Sequence, residues 1–259
     1  MWTGLVVVLA SVVVTAAALL LFGRSRTHEQ ADDRDGDSRG FLGAVISGLF
    51  IVALAFYMVI VWEAGGTAEG NASREAAAVA DVYWQTAAMP QPQRDHIRSL
   101  LTEYPKLVAY REWPKLQVGE SDGKTTETLH ALHAEILGLP STPEEVKSAR
   151  ERSLERMREI TDLRRDRLDS ARGLDNTGSI MLVGTIVGAV AMVIYPILIG
   201  FTARKRHFLQ MGLASAVLAI VCVLCVGMTQ PFDGWFRVQP EAFTSLMEEL
   251  AGIPSEQSR

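Results

Sequence analysis

The chain has 259 residues, 48% hydrophobic and 21% charged, with a formal net charge of −5. Four stretches totalling 84 residues contain no Asp, Glu, Lys, Arg or His, so all 55 acidic and basic residues fall in the remaining 175, about 31% of them. That segregation excludes a simple soluble enzyme and a basic nucleic-acid binder, and two cysteines, both inside an apolar stretch, exclude a disulfide-stapled secreted domain.

The uncharged stretches are 5–22, 41–62, 179–201 and 208–228. Each is long enough to cross roughly 30 Å of hydrocarbon as a helix, the form that satisfies a backbone in lipid from within. The first is expected to be a retained helix rather than a signal peptide. Residues 1–4 carry no positive charge, the apolar run is long, and no small-x-small pattern precedes Arg24. A polar loop, 23–40, joins the first two spans, and a very short one, 202–207, joins the last two. The predicted architecture is therefore an all-α membrane protein with four transmembrane helices in two hairpins. Its segments are a first hairpin (1–62), a helical extramembrane domain (63–177) inserted between helices two and three, a second hairpin (178–228) and a C-terminal tail (229–259).

Sidedness is read from Lys and Arg near the membrane ends. The short loops carry Arg24, Arg26, Arg34, Arg39, Arg204, Lys205 and Arg206. The other side holds nearly as many, but mostly in the long central segment, where charge counts for less. This favours cytoplasmic short loops, with the central segment and both termini outside.

Within 63–177 the patterning is helical, with no alternating β-branched runs. A helix is expected to open at Asn71-Ala72-Ser73 and run to Met89, where Pro90 and Pro92 break it. A second runs from Gln93 towards Tyr110 with Pro105 inside it, and a third covers 125–137. A fourth has a capping signal in Thr142, Pro143 and Glu145 and stops at Gly173. Its stripe of Val146, Leu154, Met157, Ile160, Leu168 and Ala171 predicts one packed seam with charge elsewhere. Beyond the last span, Pro231-Phe232-Asp233-Gly234-Trp235-Phe236 reads as an aromatic turn suited to a membrane–water interface. A short helix follows from Pro240, with Phe243, Leu246, Met247 and Leu250 on one face, lying either on the membrane or against the central segment.

Chemical motifs are sparse. His130 and His133 share a helix face, but no further ligand completes a metal set. Cys222-x-x-Cys225 lies among Val, Leu and Ile, where a thiolate is costly, so packing is the expected role. Gly184 and Gly188, and likewise Ala44 and Gly48, have the spacing that lets membrane helices approach closely. Nucleotide-binding loops, nucleophile elbows and intramembrane charges are absent, which disfavours an enzyme or an ion-coupled carrier but leaves a passive pore open. No cofactor or metal is expected.

Several short motifs, taken together in order, carry a resemblance. Gly40-Phe41 opens the second span and Trp62-Glu63 closes it; Glu75-Ala76, Tyr104 and Glu112-Trp113-Pro114 follow. Arg164-Arg165-Asp166-Arg167-Leu168 precedes the third span, and Pro231, Phe232, Gly234, Val238 and Pro240 follow the fourth. Over about 41–245 this pattern resembles the bacterial bestrophin-like family of multi-pass membrane proteins, departing from it at Gln230, where a basic residue is usual. The resemblance implies a bacterial plasma-membrane protein. It also implies kinship with bestrophins, which are pentameric anion channels with an apolar neck and a cytosolic helical bulk. That last property opposes the sidedness read from charge.

Two functions are thus expected. One is a homo-oligomeric pore in the lipid bilayer, lined by the second span through Ser47, Phe50 and Phe56. The other is a non-conducting scaffold or sensor whose 63–177 helices bind a protein partner.

Overall fold

The computed structural model describes residues 33–173, 176–198, 205–234 and 237–252. The expected first span, residues 23–32 and 202–204 of the two short loops and the Trp235-Phe236 pair lie outside them, whereas 33–40 and 205–207, expected as loop, are helical. Every regular element among the described residues is helical. In chain order the main ones are α1 (Asp33–Gln85), α2 (Gln93–Leu107), α3 (Trp113–Leu116), α4 (Gly123–Leu137), α5 (Glu144–Ala171), α6 (Asn176–Leu198), α7 (Lys205–Gly227) and α8 (Glu241–Ala251). Windows long and apolar enough to span a bilayer lie within Gly40–Ala88 and within Glu144–Tyr195; Gly212–Gly227 is a shorter apolar helix.

The chain divides into two compact units. One takes residues up to Trp62 and then Leu174–Thr229; the other takes Glu63–Gly173 and the chain from Gln230 onward. We call the first the apolar unit and the second, after the segment expected from the sequence to lie outside the membrane, the extramembrane unit.

α1 departs from expectation. No new helix opens at Asn71; a single helix runs through Trp62, Gly65, Gly66 and Gly70 to Gln85. Glycine weakens a helix without breaking it, and no proline interrupts this stretch. Asn71 is buried, and its carboxamide oxygen accepts from Arg74 of the next turn instead of capping. The capping box before α5 is also absent: Pro143 itself takes the N-cap position with extended backbone, and no side chain caps. α4 begins two residues earlier than expected because Asp122 caps it, its side chain accepting from the Thr125 amide at 3.1 Å.

The extramembrane unit has a continuous core. It runs from Ala68, Ala72, Val79 and Val82 on α1 through Ile97, Leu101 and Tyr104 on α2. Leu129, Leu132 and Ile136 on α4, and Met157 and Ile160 on α5, continue it. α8 packs on α2 and buries Phe243, Leu246 and Leu250 in the same core, so the C-terminal helix belongs to this unit. After Leu107 the helix widens into a single π turn, Val108–Glu112, before α3. Pro105 has no N–H to give the preceding turn, and the ladder re-forms with wider spacing beyond it.

The apolar unit buries little. Tyr57, Val61 and Cys225 form its small core, with Leu54, Met181 and Val221 against them. Tyr57 donates its hydroxyl to the Cys225 carbonyl at 2.6 Å, a polar clasp between α1 and α7. Two glycines permit close approach of α1 and α6. A Cβ on Gly188 would lie 3.0 Å from Phe50, and one on Gly43 would lie 2.8 Å from Tyr195.

Candidate functional site

Charge is concentrated inside the extramembrane unit. Glu75, Glu112 and Arg167 are each fully buried, and Arg164 nearly so. α1 brings Glu75, the π turn brings Glu112, and the last two turns of α5 bring Arg164 and Arg167. The Arg167 guanidinium donates Nε to one Glu75 oxygen at 3.0 Å and Nη2 to the other at 2.9 Å, a bidentate fork. Nη2 also lies 3.2 Å from Glu112. Arg164 makes a second fork on Glu112, Nε at 3.2 Å and Nη2 at 2.5 Å, and its Nη2 also reaches the Thr126 hydroxyl at 2.9 Å. Tyr104 donates its hydroxyl to Glu75 at 2.6 Å.

Aromatic rings close the cluster. The Arg167 guanidinium lies 5.5 Å from the Trp113 ring centre and 5.4 Å from that of Phe243. Trp113 stands edge-on to Phe232 at 5.3 Å, and its indole N–H donates to the Val238 carbonyl at 3.0 Å. Among the described residues Arg167 Nη1 has no hydrogen-bond acceptor, and these π faces are its available compensation.

A second shell of charge adjoins the first. The Asp122 backbone N–H donates to Glu112 at 3.3 Å, while its carboxylate takes Lys115 at 2.5 Å and faces Arg111 at 3.6 Å. The hydrogen bond from Lys115 is the largest influence on Asp122 and pulls its pKa down to about 2. Burial, then the neighbouring Glu75, push Tyr104 well above its ordinary value. Burial works against the charge on Arg167, but Glu75, Tyr104 and Glu112 outweigh it and hold the guanidinium protonated above its usual range.

Chemically this arrangement is a lock. Its two carboxylates and two guanidiniums balance, and each carboxylate carries a bidentate arginine. Once the charges are desolvated their mutual pairing holds them, and removing one partner strands another, at a cost on the order of 3–5 kcal/mol.

The residues singled out by sequence fall into two groups. Glu75, Glu112, Trp113, Arg167 and Phe232 converge in this knot although they are dispersed along the chain. Pro231 and Gly234 shape the turn carrying Phe232: the Val238 amide donates to the Pro231 carbonyl at 2.8 Å, and Gly234 has φ +83°. Trp62 and Glu63 are exposed at the boundary between the units. Of the pore candidates, Ser47 bonds back to the Gly43 carbonyl and to Met192 of α6, Phe50 is buried against Gly188, and Phe56 is exposed. Ala44, Gly48 and Gly184 are exposed, and a Cβ on Gly48 or Gly184 would meet nothing within 4 Å among the described residues. His130 and His133 are exposed on α4, and no metal-binding group of His, Cys, Asp and Glu forms among the described residues. Both cysteines are free.

Asp122, Lys115, Thr126 and Phe243 were not read from sequence as site residues. A signal existed for Asp122, since an Asp three residues before Thr125 is a capping pattern. None existed for Thr126 and Phe243, whose partners are distant in sequence, or for Lys115, where a spacing of seven residues to Asp122 singles out no pairing.

No curated protein and no solved structure matches the chain. The family model described as the Bestrophin-like domain matches residues 9–243, almost the whole chain and every residue of the knot. With the buried motif residues and the long apolar helices that accompany them, that match assigns this chain to the bestrophin-like family.

Proposed function

We propose that this protein is a four-span integral membrane protein whose copies assemble around a bestrophin-like ion pore. One observation carries the reading: the apolar unit leaves its large side chains uncovered. Phe41, Leu49, Ile51 and Phe56 on α1, Ile180 and Val187 on α6, and Leu213 and Val217 on α7 are all exposed. A surface of that kind needs lipid or further copies against it. The exposed small residues Ala44, Gly48 and Gly184 offer faces on which helices of neighbouring copies approach closely. In this reading the second span lines the pore, the residues 5–22, 41–62, 179–201 and 208–228 cross a bacterial plasma membrane as two hairpins, and no reaction is catalysed. The short loops are assigned to the cytoplasm on charge, against the sidedness that kinship with bestrophins implies. Thiol labelling of cysteines placed in the 202–207 loop, from either side of sealed vesicles, decides between them.

Purified full-length protein in planar bilayers is expected to conduct, and particle images are expected to be rings of subunits. Monomeric particles together with silent bilayers across salts and pH overturn the pore.

A second reading, a non-conducting scaffold or sensor, is favoured by the extramembrane unit, which holds the larger core and a charge network complete within one chain. Crosslinking in cells that captures one defined protein on residues 63–177, with silent bilayers, would support it.

A further inference from the structure

Beyond Trp62, α1 turns one face into the core of the extramembrane unit through Ala68, Ala72, Ala76 and Val79. On the opposite face Gly66, Gly70, Ser73, Ala77, Ala80 and Trp84 follow one another at alternating steps of four and three residues. That is the seam along which paired helices meet. The first four are exposed, Ala80 is half-covered, and Trp84 is 54% exposed at the helix end.

The glycines have no evident use within one chain. Glycine is among the least favourable residues inside a helix. Gly65, Gly66 and Gly70 all keep negative φ, and a Cβ on any of them would meet nothing within 4 Å among the described residues. At Gly43 and Gly188 of the apolar unit, by contrast, a side chain of another helix occupies the space. At Gly66 and Gly70 the space is left for a surface from outside the chain.

Charge identifies that surface. Glu69 and Arg74 stand exposed on opposite flanks of the seam, five residues apart. Arg74 donates to Asn71 of its own helix, and among the described residues neither Glu69 nor Arg74 has an ion-pair partner. Asp81, the acid on the Arg74 flank, is already held by Arg156 at 2.9 Å. An offset of five residues is the one at which the flank of one helix meets the opposite flank of a parallel copy. Glu69 of each copy then faces Arg74 of the other.

We propose that this face of α1 is the surface on which a second copy of the chain docks, its α1 parallel to the first. Copies that cross one membrane in the same sense are related by an axis normal to it, which keeps α1 parallel. Small side chains let the two backbones approach closely, and Trp84 closes the end of the seam with its one large side chain. The proposal rests on the assembly of copies argued above, and not on conduction.

The test uses full-length protein in native membranes, in a Cys222→Ser/Cys225→Ser background. Gly66→Cys and Ala77→Cys are oxidised beside Ala131→Cys, an exposed control on α4, and disulfide-linked dimers are followed over time. A parallel contact links both α1 variants to their own copies, each about fivefold or more faster than the control. An antiparallel contact cannot link both. Gly70→Leu is expected to abolish both links while amide exchange in residues 93–171 stays unchanged. Glu69→Arg and Arg74→Glu each slow linking by about threefold or more, and the double variant recovers to within about twofold of the parent. Linking at only one of the two positions, linking no faster than the control, links that survive Gly70→Leu, or a double variant no better than the singles each overturn the proposal. Particle size separates it from the assembly on which it rests. Oligomeric particles without these links refute the face alone, and monomeric particles refute both. Silent bilayers with both links formed support the face and refute the pore.

Discussion

In the extramembrane unit, most apolar side chains are covered and charge is buried; in the apolar unit, charge is confined to the helix ends before Gly40 and at Lys205-Arg206, and large apolar side chains face outward. The first has a core drawn from six helices and an aromatic turn, and uses its interior to hold two arginines and two glutamates. The second has three buried side chains in its cluster, and its polar contacts between helices include Tyr57 to the Cys225 carbonyl and Ser47 to Met192. The difference teaches where each unit gets its specificity. Apolar contacts between membrane-type helices are nearly interchangeable, so close approach at Gly43 and Gly188 and a few hydrogen bonds set their register. In the extramembrane unit the register is set by forked ion pairs, which tolerate little error.

The strongest way to break that contrast is at Arg167. Arg167→Met strands Glu75 and should cost on the order of 3–5 kcal/mol in denaturant unfolding. The double variant Glu75→Leu/Arg167→Met should recover at least half of that, because Glu112 keeps its fork from Arg164. Additive losses would show that packing, not charge, dominates the site. Next comes Tyr104→Phe, which removes a donor to a buried carboxylate and should cost about 1.5–3 kcal/mol by the same measurement.

Asp122→Asn keeps the cap but removes the charge facing Lys115 and Arg111, for roughly 0.5–1 kcal/mol at neutral pH. The folded pKa lies below the unfolded value of 3.8, so the wild-type advantage is complete above that value. It disappears as pH falls through about 2. Melting temperatures of both proteins across pH 2–6 should therefore converge only at the acid end. A comparably small effect belongs to the apolar unit. Tyr57→Phe should cost about 0.6–1 kcal/mol, since hydrogen bonds between membrane helices are individually weak. A loss as large as that of Tyr104→Phe would erase the distinction between the units.

How much of this could be read beforehand differs along the same divide. Helical structure and the apolar runs follow from composition over long windows and needed no tertiary information. The fourth helix of the extramembrane segment, α5, was harder. Its stripe of Val146, Met157, Ile160 and Ala171 is buried, but Leu154 and Leu168 are only half-covered, while Arg164 and Arg167 occupy the seam completely. In a helix dense in Arg, Glu and Asp nothing local separates a buried arginine from a solvated one. The deciding partners, Glu75 and Glu112, are 92 and 52 residues away in sequence. The motif pattern nonetheless contained Glu75, Tyr104, Glu112, Trp113, Arg164, Arg167 and Phe232. It named the components of the knot without indicating that they touch. The uninterrupted α1 departs from expectation for the opposite reason: Asn71 is a residue type that caps helices, but no stop signal ends the helix before it.

The π turn at Val108–Glu112 gives the knot a dependence on counting. A π turn accommodates one residue more than the α-helix around it. If the same residues relaxed to regular α spacing, everything beyond would swing by about 100°, and Glu112 and Trp113 would lose their aim at Arg167. Deleting a residue from an ordinary helix misdirects all that follows, but here a deletion at exposed Tyr110 should leave a regular helix with Glu112 still on target. In this short segment the acidic partner is aimed by the number of residues as much as by their kind.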